Sequence, residues 1–358
     1  IEDYELKVFP ESLPDPVDAI KFRMDQLDLK PVDLIPYLGT SSRVSEILSR
    51  KRTLTLSMIR ALESGLGIPA KVLLKEGDTF RDSEDVVWSK FPLAEIKKRG
   101  YIDRIPSNTI DIKELIEGLF SSVGDFKSLV GMTRKTNYRS LRQMDRYALL
   151  AWSGIVVKKA RAVTGVTKFQ SGMIDLNFMQ GLAKISVKDK SPILAQELLK
   201  KIGVILIIEP PFLKTYLDGA TIIQSEKNPI IGLTLRHDRL DNFWFTLMHE
   251  LAHISLHYDN NSSFFYDDLD NKDENNKEEI EADSLAGESL VPKSKWEISP
   301  AKLIPSPLAA KSLARELDVH VAIVAGKIRY EGHRYVYLNK IINVEKVRKY
   351  FANGKWNE

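Results

Sequence analysis

The sequence predicts an α+β chain, predominantly helical, in which a five-helix N-terminal domain precedes a second domain with a small sheet and a helix pair. Three observations carry that prediction. Up to Leu74 the chain breaks into short segments with apolar residues at helical spacing, punctuated by Gly, Pro and Ser. Three isoleucine-rich runs, Val204–Ile208, Thr221–Gln224 and Ile230–Leu235, are bounded by Gly, Pro and Asn as strands are. Two later helical segments, from about Asp241 to His257 and from about Glu278 to Pro292, carry histidine or carboxylate pairs four residues apart.

The totals set bounds. At 358 residues the chain exceeds one ordinary core, so several domains are expected. The 52 Lys+Arg against 49 Asp+Glu give a net charge of +3, which neither demands nor excludes a nucleic-acid partner, so the distribution of charge matters more. There are no cysteines, which removes disulfides, thiolate ligands and cysteine nucleophiles and leaves any metal to histidine and carboxylate. No apolar run approaches the ~18 residues of a membrane span. The opening residues lack a basic-then-apolar leader pattern, and a cytoplasmic location without membrane contact is expected.

Taken in order, residues 1–14 read as an arm and 15–76 as the first domain. Residues 77–175 read as a helical connector, strongly basic towards its end: between Ser121 and Gln170 ten Lys/Arg face two Asp/Glu. That stretch suits a second DNA contact or a solvated helix equally. Residues 176–300 hold a helix at Pro192–Ile202, the three strands, the two motif-bearing helices and an acidic loop between them, Asp259 to Lys277. Residues 301–358 read as a helical segment completing that domain, with Val336–Leu338 as a short strand.

In the first domain, Asp15 caps a helix with Pro16 in its first turn. A second helix opens at Pro31 and ends at Gly39, where a left-handed turn favours a residue without Cβ. Ser41 or Ser42 caps a third, Arg43–Arg50, a fourth spans about Leu56–Leu66, and Ile68–Leu74 makes a fifth. This is the layout of a helix-turn-helix. Ser41, Ser42, Arg43 and Ser45 occupy the polar positions of the third helix and are candidates to read base edges. Arg50, Lys51 and Arg52 follow, placed to meet phosphates.

The chemical centre is "FTLMHELAHISLH". On a helix, His249 and His253 lie one turn apart on one face, as two ligands of one metal require, and Glu250 beside them is placed to act on a water as general base. Downstream, "EEIEADSLAGESLVP" puts Glu279 and Asp283 on one face: a third ligand, and a carboxylate that orients a ligand histidine from behind. Glu279 ranks above Glu281 and Glu278 as the third ligand. This is the gluzincin arrangement in a zincin-like domain. The metzincin pattern fails, because Leu256 stands where it needs glycine. Ile230–Leu235 is the candidate edge strand for substrate, with an interior place in a small sheet as the alternative. For the oxyanion, His333, Tyr330 and Tyr335 are candidates by residue type, His333 first.

Residues Asp18–Leu74, above all "SRVSEIL" with the following "KR" and "MI", resemble the Xre/HigA-type helix-turn-helix of bacterial repressors and antitoxins. The stretch from about Pro192 to Trp296, with "GLTLRHDRLDNFWFTLMHELAHISLH" and "EEIEADSLAGESLVP", resembles the ImmA/IrrE metallo-endopeptidases. The likeness extends to fusions of the two through "FPLAEIKKRGYI" and "VAGKIRYEG". By that resemblance the ligands are His249, His253 and Glu279, the base is Glu250, and the metal is one Zn2+ or, with this donor set, Mn2+. It further implies binding of double-stranded DNA as a homodimer. It also implies cleavage of an Xre-type repressor or a toxin–antitoxin partner protein. A second reading stays open: a HigA-like antitoxin or repressor whose metal domain is a sensor or inactive.

Overall fold

A computed structural model describes residues 16–49, 54–73, 86–106, 108–121, 137–138, 144–224, 227–258, 263–267, 276–333 and 335–351. The chain divides into two compact units, Ile1–Asp85 and Val86–Glu358. The arm at 1–14, the Asp15 cap and Arg50–Arg52 lie outside the described residues.

In the first unit, α1 (Pro16–Gln26) is followed by a 3₁₀ turn at Pro31–Leu34 that runs into α2 (Ile35–Leu38). Gly39, at φ 101°, turns the chain. Then come α3 (Ser41–Leu48), α4 (Leu56–Leu66) and α5 (Ala70–Leu73). Their apolar faces close on Ile20, Leu34, Leu38, Val44, Ile47 and Leu62. The side chain of Arg23 donates through Nε to the Leu66 carbonyl at 2.7 Å, tying α1 to the end of α4. The cap of α3 is Thr40, whose hydroxyl accepts from Arg43 N at 3.3 Å, so Ser41 and Ser42 sit inside the first turn instead of before it.

The second unit begins with α6 (Leu93–Lys98) and α7 (Thr109–Leu119), then β1 (Asn137–Tyr138) and α8 (Arg146–Arg161). Next are α9 (Leu176–Ala183), α10 (Ser191–Lys201), β2 (Ile205–Ile208), β3 (Gly219–Ile223) and β4 (Ile230–Leu233). Then follow α11 (Leu240–His257), β5 (Ser263–Asp267) and α12 (Lys277–Leu290). The helices α13 (Lys293–Glu297), α14 (Pro300–Leu303), α15 (Pro307–Leu317), α16 (Val321–Glu331) and α17 (Asn339–Ile342) complete it. No helix among the described residues is long and apolar enough to cross a membrane.

The strands form one mixed sheet in the order β1-β5-β3-β4-β2. β3 runs antiparallel to β4 and β5, while β2 and β1 lie parallel to their neighbours. Successive residues of a strand point to opposite faces, and the two faces here have different occupants. On one, Gly232 meets the ring of Trp152 and Tyr266 OH lies 2.7 Å from Ser153 Oγ, both partners on α8. On the other, Gly219, Thr221 and Phe265 face α11.

Four differences from the sequence reading follow. β4, the candidate edge strand, takes the interior alternative and lies between β3 and β2 with both edges paired. β5 runs through what read as an acidic loop; the flanking Asn and Asp outweighed the aromatic Phe-Phe-Tyr run inside it. Val336–Leu338 forms turns, with Leu338 at φ 58°, so no strand forms there. Finally, residues 86–175 fall in the second unit, and α8 is buried along one continuous stretch, Tyr147 to Val157, with Arg146 opening the helix and its other three basic residues in the last turn.

Candidate metal centre

The site is assembled by α11 and α12, which share a core containing the fully buried alanines Ala252, Ala282 and Ala286. Small side chains allow helices to approach closely. Asn276 caps α12, accepting from Glu278 N at 3.1 Å, and so fixes where the helix starts and which residues face α11.

His249, Glu250 and His253 are fully buried on α11, and Glu279 on α12 is 1% exposed. The two imidazole Nε2 atoms are 3.0 Å apart; Glu279 brings Oε2 to 3.3 Å from His249 Nε2 and Oε1 to 3.5 Å from His253 Nε2. Tetrahedral Zn2+ with bonds of about 2.0 Å separates its ligand atoms by about 3.3 Å. The three measured separations bracket that value, although the two from Glu279 involve different oxygens; one ligand atom from each residue lies within 4.8 Å of the other two, close enough to share one ion. These three residues are the group among the described residues that could hold a metal ion.

The other nitrogen of His249 is engaged from behind. Asp283, one turn along α12 from Glu279, has Oδ1 3.0 Å from His249 Nδ1. A carboxylate at that distance favours the tautomer with its hydrogen on Nδ1, which leaves the lone pair for Nε2, on the side of Glu279.

Glu250 points to the sheet side. Thr221 Oγ1 lies 2.7 Å from Glu250 Oε2 and 3.0 Å from the Glu250 carbonyl oxygen. Beside it, β3 passes so close that a Cβ on Gly219 would fall 2.2 Å from Glu250 Oε1. Only a residue without a side chain fits between strand and carboxylate. From β5, the Phe265 ring stacks on His253, centroids 4.5 Å apart and planes at 16°. His257, half-buried one turn beyond His253, has its ring 5.6 Å from both Phe265 and His253.

At the amino end of α11, burial pushes the Asp241 carboxyl above the usual carboxylate range, with Arg239 acting in the opposite direction. Asp241 Oδ1 accepts from Arg239 Nε at 3.1 Å.

The structure thus brings together His249, Glu250, His253, Glu279 and Asp283. It does not bring His333 to this group: His333 lies in an exposed left-handed turn, φ 49°, after α16. Tyr330 and Tyr335 are 44% and 58% exposed. Sequence reasoning missed Gly219, Thr221 and Phe265. Strand alternation gives a residue's face but not the helix residue it meets, and β5 itself was unseen. In the first unit, Ser41, Ser42, Arg43 and Ser45 are exposed on α3, opposite the buried Val44 and Ile47. Arg50, Lys51 and Arg52 lie outside the described residues.

Residues 203–343 match the peptidase M78 family model, described as IrrE N-terminal-like domain. The matched span runs from the start of β2 past α17 and contains the whole metal group and Asp283. It supports the metallopeptidase part of the sequence reading and does not reach the first unit. No curated protein and no solved structure matches the chain.

Proposed function

We propose that the chain is a metal-dependent endopeptidase that also carries a DNA-binding module, and that it cleaves an Xre-type repressor or a toxin–antitoxin partner protein. The observation that carries the peptidase reading is the convergence of His249, His253 and Glu279 on one point, with Glu250 adjoining, inside the span that matches a peptidase family. These three residues hold the cation, for which the all-nitrogen-and-oxygen donor set suits Zn2+ first and Mn2+ second. A divalent ion there supplies Lewis acidity, polarising a scissile carbonyl and bringing the pKa of a water to about 7.

The protein's own residues do the rest. Asp283 holds the His249 imidazole in one tautomer and orientation. Glu250 accepts the proton of the attacking water and passes it to the leaving amine. Thr221 keeps that carboxylate in one rotamer, so the proton moves over a fixed path. The buried surroundings strengthen each of these interactions by excluding water.

For the first unit, the exposed face of α3 is the proposed recognition surface, with Ser41, Ser42, Arg43 and Ser45 at base edges and Arg50–Arg52 at phosphates. A homodimer reading a two-fold operator fits that use.

One preparation of full-length protein tests both halves. Elemental analysis should find about one zinc per chain, lost in His253→Ala. Glu250→Gln should retain metal and DNA and lose cleavage of the repressor. Arg43→Ala should weaken binding to the operator without touching the metal. No metal in the wild-type protein after reconstitution overturns the peptidase reading; unaltered operator binding by Arg43→Ala overturns the placement of the DNA contact.

A further inference from the structure

A histidine ligand must be held about two side-chain torsions, and the outer one, from Cβ to the ring, is broad and has no sharp staggered wells. For His249 the Asp283 carboxylate stands 3.0 Å behind Nδ1. For His253 the geometry points to a different device. Phe265, 6% exposed, lays its ring parallel to the His253 imidazole at 4.5 Å, and the same ring lies over His257. Phe265 is carried by β5 in register opposite Thr221 of β3, the residue whose hydroxyl holds Glu250. Neighbouring residues on one sheet face thus engage two consecutive polar positions of α11.

We propose that Phe265 is a positioning residue of the metal centre, setting the ring plane of His253 so that its Nε2 meets Glu279 and His249 Nε2. The proposal rests on the metal-site reading above. The stacked ring blocks rotation of the imidazole, since turning it out of plane drives its edge into the phenyl face. It also keeps water off that face, which would otherwise compete for the ring nitrogens. The requirement is for a flat ring at 265, not for apolar volume alone. β5 is therefore a working part of the centre although it supplies no ligand.

The test is Zn2+ affinity of the full-length protein, measured by competition with a chromophoric chelator, together with the visible spectrum of the Co2+-loaded form. Phe265→Leu should weaken Zn2+ binding about tenfold, the lower end of what loss of an outer support costs a metal site, and should alter the Co2+ spectrum. Phe265→Tyr, which keeps the ring, should restore affinity to within about twofold. Tyr266→Phe removes the hydrogen bond to Ser153 on the opposite sheet face. It loosens the same strand and should leave both readouts unchanged. If the leucine variant does not fold, Phe265→Met carries the same test.

Unaltered Zn2+ affinity in Phe265→Leu overturns the proposal, as does equal weakening in Tyr266→Phe, which would mark general loosening. Wild-type protein that binds no Zn2+ overturns the metal-site reading itself, a result separable from either of these.

Discussion

Gly219→Ala isolates the contact between the sheet and the helix that carries His249, Glu250 and His253. The new methyl would lie 2.2 Å from Glu250 Oε1, 3.0 Å from Glu250 Cδ and 2.9 Å from Thr246 Cγ2. Ordinary contacts begin at about 3.5 Å, so more than 1 Å must be found. β3 cannot retreat, because it is paired to β4 on one side and β5 on the other. Glu250 is the part that can move, and moving it breaks the 2.7 Å contact with Thr221. Overpacking costs about 1–3 kcal/mol and loss of a hydrogen bond to a charged group about 1.5–3 kcal/mol. A destabilisation of about 2.5–6 kcal/mol is therefore expected in denaturant unfolding. The decisive assay is a double-mutant cycle with Glu250→Ala, which removes the atoms the methyl strikes. In that background the Gly219→Ala penalty should fall by more than half, leaving the Thr246 contact. An equal penalty in both backgrounds would refute the claim that strand and carboxylate compete for one space.

Two further outcomes are expected, one at the metal centre and one at the start of α16. Asp283→Ala should weaken Zn2+ binding about 10–100-fold while leaving all three proposed ligands in place, measured by chelator competition; unchanged affinity would show that the 3.0 Å contact to His249 does not hold the ring. His320 caps α16, its Nδ1 accepting from Ala322 N at 3.2 Å, and burial lowers its pKa below the ordinary 6.5 while Glu345 opposes this. A histidine depressed on folding takes up its proton more readily when unfolded, so stability is lost as pH falls below 6.5 towards the folded-state value. The pH dependence of Tm should flatten in that window in His320→Asn, which caps without titrating; an identical profile would remove His320 as the source.

What the sequence made legible was what repeats locally. His249 with His253 and Glu279 with Asp283 are pairs one helical turn apart, and each pair shares a face whatever surrounds it. The apolar positions of α1 to α4 were visible for the same reason. What stayed hidden depends on residues distant in the chain. Thr221 meets Glu250 across 29 positions, and no local pattern shows that contact. β5 was concealed by its acidic flanks. α8 was misread because its last turn holds Lys158, Lys159 and Arg161, while the apolar stretch before them packs on strands later in the chain. Thr40 takes the cap in place of Ser41 or Ser42 because the helix begins at Ser41, two residues before the expected Arg43.

The alternation of the sheet has one more consequence. Gly219 and Thr221 of β3 and Phe265 of β5 face the metal helix, and Tyr266 faces α8. A slip of either strand by a single residue would exchange the two sets. Tyr266 would then stand where Phe265 belongs, Ala220 would press into Glu250, and the docking of α8 would be lost in the same event. The scaffold cannot be mis-registered while the chemistry survives. For a protein proposed to cut other proteins this is a safeguard: a wrongly assembled copy is a silent one, and peptide-bond cleavage is confined to molecules that have folded correctly.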